Sequence, residues 1–230
     1  MNGRLERFSA KGRCCSVWIP QGEGLFPAAV LCGAEPEELF PRLAQEVPDI
    51  LLLNAEAEWE RDFTPWPTPG LPGRKPFSGK AEAYLEFLAD TLLPLAEDRF
   101  PMKKEAGSTA LMGYSLAGLF ALWALFQTQR FRLFASLSGS LWYDGLAQYW
   151  REHSPADSRA RLYLSLGKTE EGGGSEQMRS VGDCTRSAAA DLSARLGPTH
   201  VTLEWNRGGH FTGIPNRWRK ALIWARESFS

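Results

Sequence analysis

Short, uninterrupted apolar runs alternate along this chain with segments whose apolar residues recur at helical spacing, and that order admits few architectures. Ala28 to Cys32 (AAVLC) and Ile50 to Asn54 (ILLLN) are continuous apolar stretches of the kind buried on both faces of a sheet. Cys14 to Ile19, Ala110 to Met112, Leu133 to Leu137, Arg161 to Leu166 and Val201 to Trp205 also read as strands. Between them, Lys80 to Phe100 carries Tyr84, Leu88, Leu92 and Leu95 at helical spacing, with Pro94 set to kink or restart the helix. Leu116 to Gln127, Gly182 to Leu196 and Arg217 to Glu227 complete the predicted helices. Strand and helix in alternation build βαβ units, so the expected class is α/β, a mostly parallel central sheet flanked by helices on both faces. Ligands bind such open sheets beyond the carboxyl ends of the strands, which makes the residues after each strand the ones to inspect.

The 230 residues carry 26 Lys plus Arg against 27 Asp plus Glu, a formal net charge of −1, which excludes nucleic-acid binding through bulk positive charge. No fixed-period repeat and no long Pro-, Gly- or Ser-rich linker interrupts the pattern, so residues 1–230 read as one domain. Cys14, Cys15, Cys32 and Cys184 lack CxxC spacing and read as reduced thiols rather than a disulfide framework or a zinc site. The N-terminus is polar where a secretory signal needs an apolar stretch. The longest apolar run, Leu116 to Phe126, falls short of the roughly 20 residues of a membrane span. A cytoplasmic protein with no membrane partner is expected.

The sharpest chemical signal is TALMGYSLAGLFALWALF, in which an apolar strand runs through Gly113-Tyr114-Ser115-Leu116-Ala117-Gly118 directly into an apolar helix. A nucleophile elbow needs that context, with small residues two before and two after the serine so that the strained turn can close. Gly113 and Ala117 fill those positions, Ala117 where glycine is commoner. The alternative is a serine that caps a buried helix. A serine nucleophile requires a base. Of the three histidines, His153 and His200 lie in polar surroundings, whereas His210 follows the last strand in Asn206-Arg207-Gly208-Gly209-His210-Phe211, where glycines let a loop fold over the sheet edge.

The third group, which orients the imidazole, should fall between Ser115 and His210 in the chain. Glu170, after the strand RLYLSL, leads the candidates; Glu171, Asp183 and Asp144 stand behind it. An oxyanion hole would use the N–H of Leu116 and a second N–H after AAVLC, at Gly33 or Ala34. Trp59, Phe63, Trp66, Trp142 and Tyr143 follow strands on the same edge and either wall an acyl pocket or complete the core. Arg61 and Asp62 read as a structural pair.

Several stretches together are far more specific than the serine motif alone: Arg61-Asp62-Phe63-Thr64-Pro65, GYSLAG at the elbow, Ser138-Gly139-Ser140-Leu141-Trp142, Gly167-Lys168-Thr169-Glu170 and Gly208-Gly209-His210-Phe211. On these the chain resembles the esterase D and enterochelin-esterase-like branch of the α/β-hydrolases. The resemblance implies that fold, with Ser115 as nucleophile, His210 as base and Glu170 as acid, acting on small acyl esters, siderophore esters or thioesters.

Other signals lead nowhere. Gly167-Lys168-Thr169 lacks the upstream glycine of a phosphate-binding loop, since Leu162 stands there, and Gly172-Gly173-Gly174 lacks dinucleotide-binding spacing. No HExxH or calcium-loop pattern occurs, so no metal or cofactor is expected. The acids of Glu35 to Glu38 and Glu56 to Glu60 read as solvated faces, with nothing to set two carboxylates across one cleft. The expected function is a serine carboxylesterase acting on a small or aromatic acyl ester. An acyltransferase on the same residues, a siderophore-ester or thioester hydrolase, and a non-catalytic binding module are the alternatives.

Overall fold

The apolar runs become the inner strands of a single large sheet. The computed structural model describes residues 3–71 and 75–229. An antiparallel hairpin of β1 (Gly3–Ala10) and β2 (Arg13–Pro20) precedes β3 (Ala28–Cys32), α1 (Pro36–Glu46), β4 (Leu51–Ala55) and the one-turn α2 (Trp59–Asp62). A small ladder of β5 (Pro67–Thr68) and β6 (Phe77–Ser78) leads to α3 (Ala81–Phe87) and α4 (Leu93–Arg99). Then come β7 (Thr109–Tyr114), α5 (Leu116–Ala124), β8 (Leu133–Leu137), α6 (Leu146–Glu152) and β9 (Arg161–Gly167). The chain closes with α7 (Glu176–Arg179), α8 (Val181–Leu196), β10 (Val201–Asn206) and α9 (Ile214–Ser228).

The sheet order is β1-β2-β4-β3-β7-β8-β9-β10, with the last six parallel and the hairpin antiparallel at one edge. Side chains alternate across each strand, so the inner strands feed two cores. Ala29, Leu31, Leu52 and Met112 pack with Phe40 and Leu43 of α1 and Trp218 and Leu222 of α9. Val30, Leu53, Leu111 and Leu162 point the other way, toward the core that holds Leu85, Phe120 and Leu192. Each such Leu or Phe contributes roughly 1.5–3 kcal/mol when fully buried. Helices therefore cover both faces, as the alternation predicts.

Several elements escape the sequence pattern, β1 and α1 being the longest of them. β1 is a polar edge strand whose residues are largely half-exposed, so it carries no apolar run. α1 holds Pro41 inside it, which gives up a backbone hydrogen bond, but a buried stripe of Leu39, Phe40, Leu43 and Ala44 holds the helix down. Its Glu35, Glu37 and Glu38 are exposed, as expected of a solvated face. The segment around Pro94 stays helical from α3 to α4, but a π-helical turn at Leu88–Leu92 lies between them, immediately before α4 and its Pro94, whose ring a regular α-helical turn would crowd.

The chain leaves β3 for β4 on one side and then crosses to β7 on the other. At that reversal Cys32 pairs with Gly113, so the loops after β3 and β7 open side by side. That is where an open parallel sheet leaves a crevice. Among the described residues no helix is long and apolar enough to cross a membrane.

Candidate active site

Ser115 stands alone between β7 and α5 at φ 60° and ψ −121°, a conformation that costs a non-glycine residue about 1–3 kcal/mol. The surrounding backbone imposes it: its N–H donates to Leu137 O at 2.9 Å, and its carbonyl accepts from the N–H groups of Gly118, Leu119 and Ser140. A Cβ at Gly113 would overlap the carbonyl of Ala117, which explains the small residue two positions before the serine. The methyl of Ala117 is accommodated and fully buried. The Ser115 side chain makes no capping bond to α5, so the helix-cap alternative does not describe it.

Three side chains from three strand ends form one hydrogen-bonded line. His210 Nε2 lies 3.1 Å from Ser115 Oγ, and His210 Nδ1 lies 2.8 Å from Glu170 Oε2. Glu170 is 3 % exposed and His210 28 %. Burial pushes the Glu170 carboxyl up, but hydrogen bonds from His210, Arg217, Ser138 and the Gly167 N–H outweigh it and hold the group below the ordinary glutamate value. The other candidate acids are elsewhere. Glu171 and Asp183 pair with Arg186, and Asp144 is exposed. His153 stacks on Tyr149, and His200 Nδ1 lies 3.2 Å from Ala160 O.

Two supports of this line carry no sequence signal. Arg217 on α9 is 1 % exposed and donates to Glu170 Oε1 at 2.6 Å, to Gly209 O at 2.6 Å and to Ser138 Oγ. Tyr114 donates its hydroxyl to His210 O, and burial raises its phenol. The β3 loop has a third such support: the buried amide of Asn54 donates to Leu31 O at 2.7 Å and to Ala34 O at 3.4 Å. Only the tertiary contacts reveal these roles.

Two cavities meet at Ser115. One, of about 320 Å³, is walled by Leu116, Phe77, Trp142, Met178 and Val181; the other, of about 590 Å³, by Gly33, Ala34, Leu39, Tyr114, Ile214 and Trp218. Ser115, His210, Trp59 and Phe211 line both. Leu116 is the first residue of α5, so helix geometry supplies no carbonyl for its N–H. Leu116 lines the smaller cavity with Ser115, and Gly33 and Ala34 line the larger one with it.

Of the five aromatic wall residues, Trp59 and Trp142 reach the cavities. Phe63, Trp66 and Tyr143 do not. Phe63 is fully buried among Trp59, Tyr84 and Phe120, because the loop turns it into the core. Trp66 is tied by its indole N–H to Asp144 O at 3.0 Å, and the buried Tyr143 donates to Trp66 O at 2.6 Å, so these two lock one loop to another. Phe211, 85 % exposed and edge-on to His210, was the wall residue to find; its position beside the histidine was the available cue. Asp62 is a structural acid, 2 % exposed, held by Arg13 at 2.8 Å and Arg61 at 2.9 Å.

The family described as "Putative esterase" matches residues 35–225. The chain belongs to this family. The esterase is 29 % identical over 186 residues to "Uncharacterized protein YbbA" of Bacillus subtilis (strain 168), with 74 % of each chain covered. Its fold is similar to that of the siderophore hydrolase EstA from Aspergillus nidulans, with TM-score 0.78, 18 % identity, and 99 % and 95 % of the two chains covered. An IroE-like serine hydrolase from Shewanella oneidensis follows at TM-score 0.72 and 20 % identity, over 99 % of this chain and 78 % of that one. The esterase has the α/β-hydrolase fold.

Proposed function

We propose that this esterase hydrolyses a small or aromatic acyl ester through an acyl-enzyme on Ser115. The observation that carries the reading is the unbroken line from Glu170 through both ring nitrogens of His210 to the Ser115 hydroxyl. An ionised Glu170 only accepts hydrogen bonds, so the proton of the neutral imidazole sits on Nδ1 and Nε2 accepts from Ser115. As Ser115 Oγ attacks the ester carbonyl its proton passes to Nε2, and the same proton goes to the alcohol oxygen as the C–O bond breaks. Water then gives a proton to Nε2 and attacks the acyl carbon, releasing the acid and restoring the serine hydroxyl. The Leu116 N–H and one from Gly33 or Ala34 hold the oxyanion.

The two cavities give the ester a place for each half, and Trp59, Trp142 and Phe211 supply apolar faces for an aromatic acyl group. A second reading, a siderophore-ester hydrolase, draws on the likeness to EstA and on the presence of both Lys75 and Trp142 in the lining of the smaller cavity, a combination suited to an anionic aromatic acid. Acyl transfer would use the larger cavity for an alcohol in place of water. One catalytic domain over residues 1–230 is supported by the shared sheet, and a cytoplasmic location by four free thiols, of which burial pushes Cys15 up to about 11. Labelling with a fluorophosphonate followed by peptide mass spectrometry tests the mechanism. The adduct is expected on Ser115; an adduct elsewhere, with Ser115 unmodified, overturns it. Rates on phenyl acyl esters against catecholate siderophore esters, with and without added alcohol, separate the substrate readings.

A further inference from the structure

We infer that Arg217 is a positioning residue for ester hydrolysis, directing Glu170 toward His210 and fixing the loop that carries His210. The inference rests on the reading that Ser115, His210 and Glu170 perform the reaction.

A fully buried guanidinium is costly unless paired and hydrogen-bonded, and this one is spent on the acid and the base loop together. Its Nη1 reaches Glu170 Oε1 after β9, and its Nη2 reaches Gly209 O, the peptide before His210 after β10. Tyr114 takes the next carbonyl, that of His210 itself. The two carbonyls that flank the His210 peptide are therefore both held. Glu170 Oε1 also accepts from Ser138 Oγ at 2.8 Å and the Gly167 N–H at 2.7 Å, so three donors occupy it. Oε2 is left to face His210 Nδ1. Backbone and guanidinium close tightly here: a Cβ at Gly167 would stand 2.6 Å from Arg217 Nη2 and 2.8 Å from Glu170 Oε1.

The charge matters as well as the fork. A fixed cation beside Glu170 offsets part of the carboxylate's field at His210. The ionisable groups that face this pair are Arg217 from α9 and Tyr114 from β7. Glu60 and Lys75 line the smaller cavity, and Glu35, Glu38 and Arg42 the larger. Arg217 is the one hydrogen-bonded to Glu170. Lysine would keep the charge but not the planar, two-armed reach.

The test compares Arg217→Gln and Arg217→Lys in the full chain, each also combined with Glu170→Gln. A phenyl ester serves as substrate, with kcat, KM, the pH–rate profile and the melting temperature as readouts. Arg217→Gln is expected to lower kcat about 10- to 100-fold at nearly unchanged KM, and to move the acid limb of the profile up by about one pH unit. Arg217→Lys should leave the limb near its wild-type position while kcat falls. In the Glu170→Gln background either change should cost less than it does in the wild type, because only the hold on Gly209 O is left to lose. An acid limb that does not move, or losses that multiply in the double variants, would reduce Arg217 to a packing role. Should Arg217→Gln fail to fold, Arg217→Lys and the charge-balanced double variant decide the matter. Ser115→Ala separates the levels: turnover there within about 10-fold of wild type overturns the mechanism itself, whereas a strongly impaired Ser115→Ala with an unmoved Arg217→Gln limb overturns this inference alone.

Discussion

The indole of Trp59 packs directly against the backbone of Gly33, so that a Cβ at Gly33 would stand 2.7 Å from Trp59 Cζ3. Gly33 also has φ 74°, where an L side chain is strained. Gly33→Ala is expected to cost about 1–3 kcal/mol in urea unfolding and to lower kcat, because the loop that borders Ser115 must shift. Adding Trp59→Ala should return part of the stability by removing the clash. Full activity in Gly33→Ala would separate this loop from oxyanion binding.

Ser115 lines both cavities from a strained backbone, and two substitutions divide the effects. Ser115→Ala and Ser115→Gly should both lower turnover by on the order of 10³-fold or more and abolish fluorophosphonate labelling. Glycine should be the more stable of the two by about 1 kcal/mol, since it alone adopts φ 60° without strain. Equal melting temperatures for the two would contradict the strain.

Glu170 predicts a pH dependence of stability. Its carboxyl is held below the ordinary 4.5 despite burial, by His210, Arg217, Ser138 and the Gly167 N–H. A carboxyl lowered on folding contributes stability that is fully present above its unfolded value and is lost as pH falls through its folded one. The difference in unfolding free energy between wild type and Glu170→Gln should therefore be level near neutrality and shrink below about pH 4.5. A difference that stays constant down to about pH 3 would mean that Glu170 is not held ionised.

Trp142 borders the smaller cavity, whereas Trp66 and Tyr143 beside it hold loops together. Trp142→Ala should raise KM for aromatic acyl esters about 10-fold and leave short alkyl esters nearly unaffected. Tyr143→Phe should instead lower the melting temperature without changing that preference, since it removes the hydrogen bond to Trp66 O. A loss of aromatic preference in Tyr143→Phe would reverse these assignments.

The inner strands were legible because a strand buried on both faces is apolar nearly throughout, as AAVLC is and as LLLNA is apart from Asn54. β1 was not, because an edge strand meets solvent and its register is fixed by pairing with β2. Ser115 was legible because the elbow is a local backbone device, closed within five residues by Gly113 and Ala117. His210 was legible from its glycine-rich loop and the scarcity of histidines. Phe63 stayed undecided between wall and core for the converse reason: nothing in an aromatic residue's neighbours along the chain tells whether its loop turns it outward to a cavity or inward against Tyr84 and Phe120.

The sequence by itself determined what is written in local sterics and periodicity: an alternating α/β order, a strained serine turn, a glycine-flanked histidine and a glutamate after a strand. The tertiary structure decided which acid is used and what holds it. Glu170, Glu171 and Asp183 are chemically alike, and only sheet order brings Glu170 to His210 across 40 positions while Arg186 takes the other two. Arg217 and Asn54 became supports of the site in the same way. Hydrogen bonds act over about 3 Å, so their partners are chosen by where the sheet delivers each loop and not by distance along the chain.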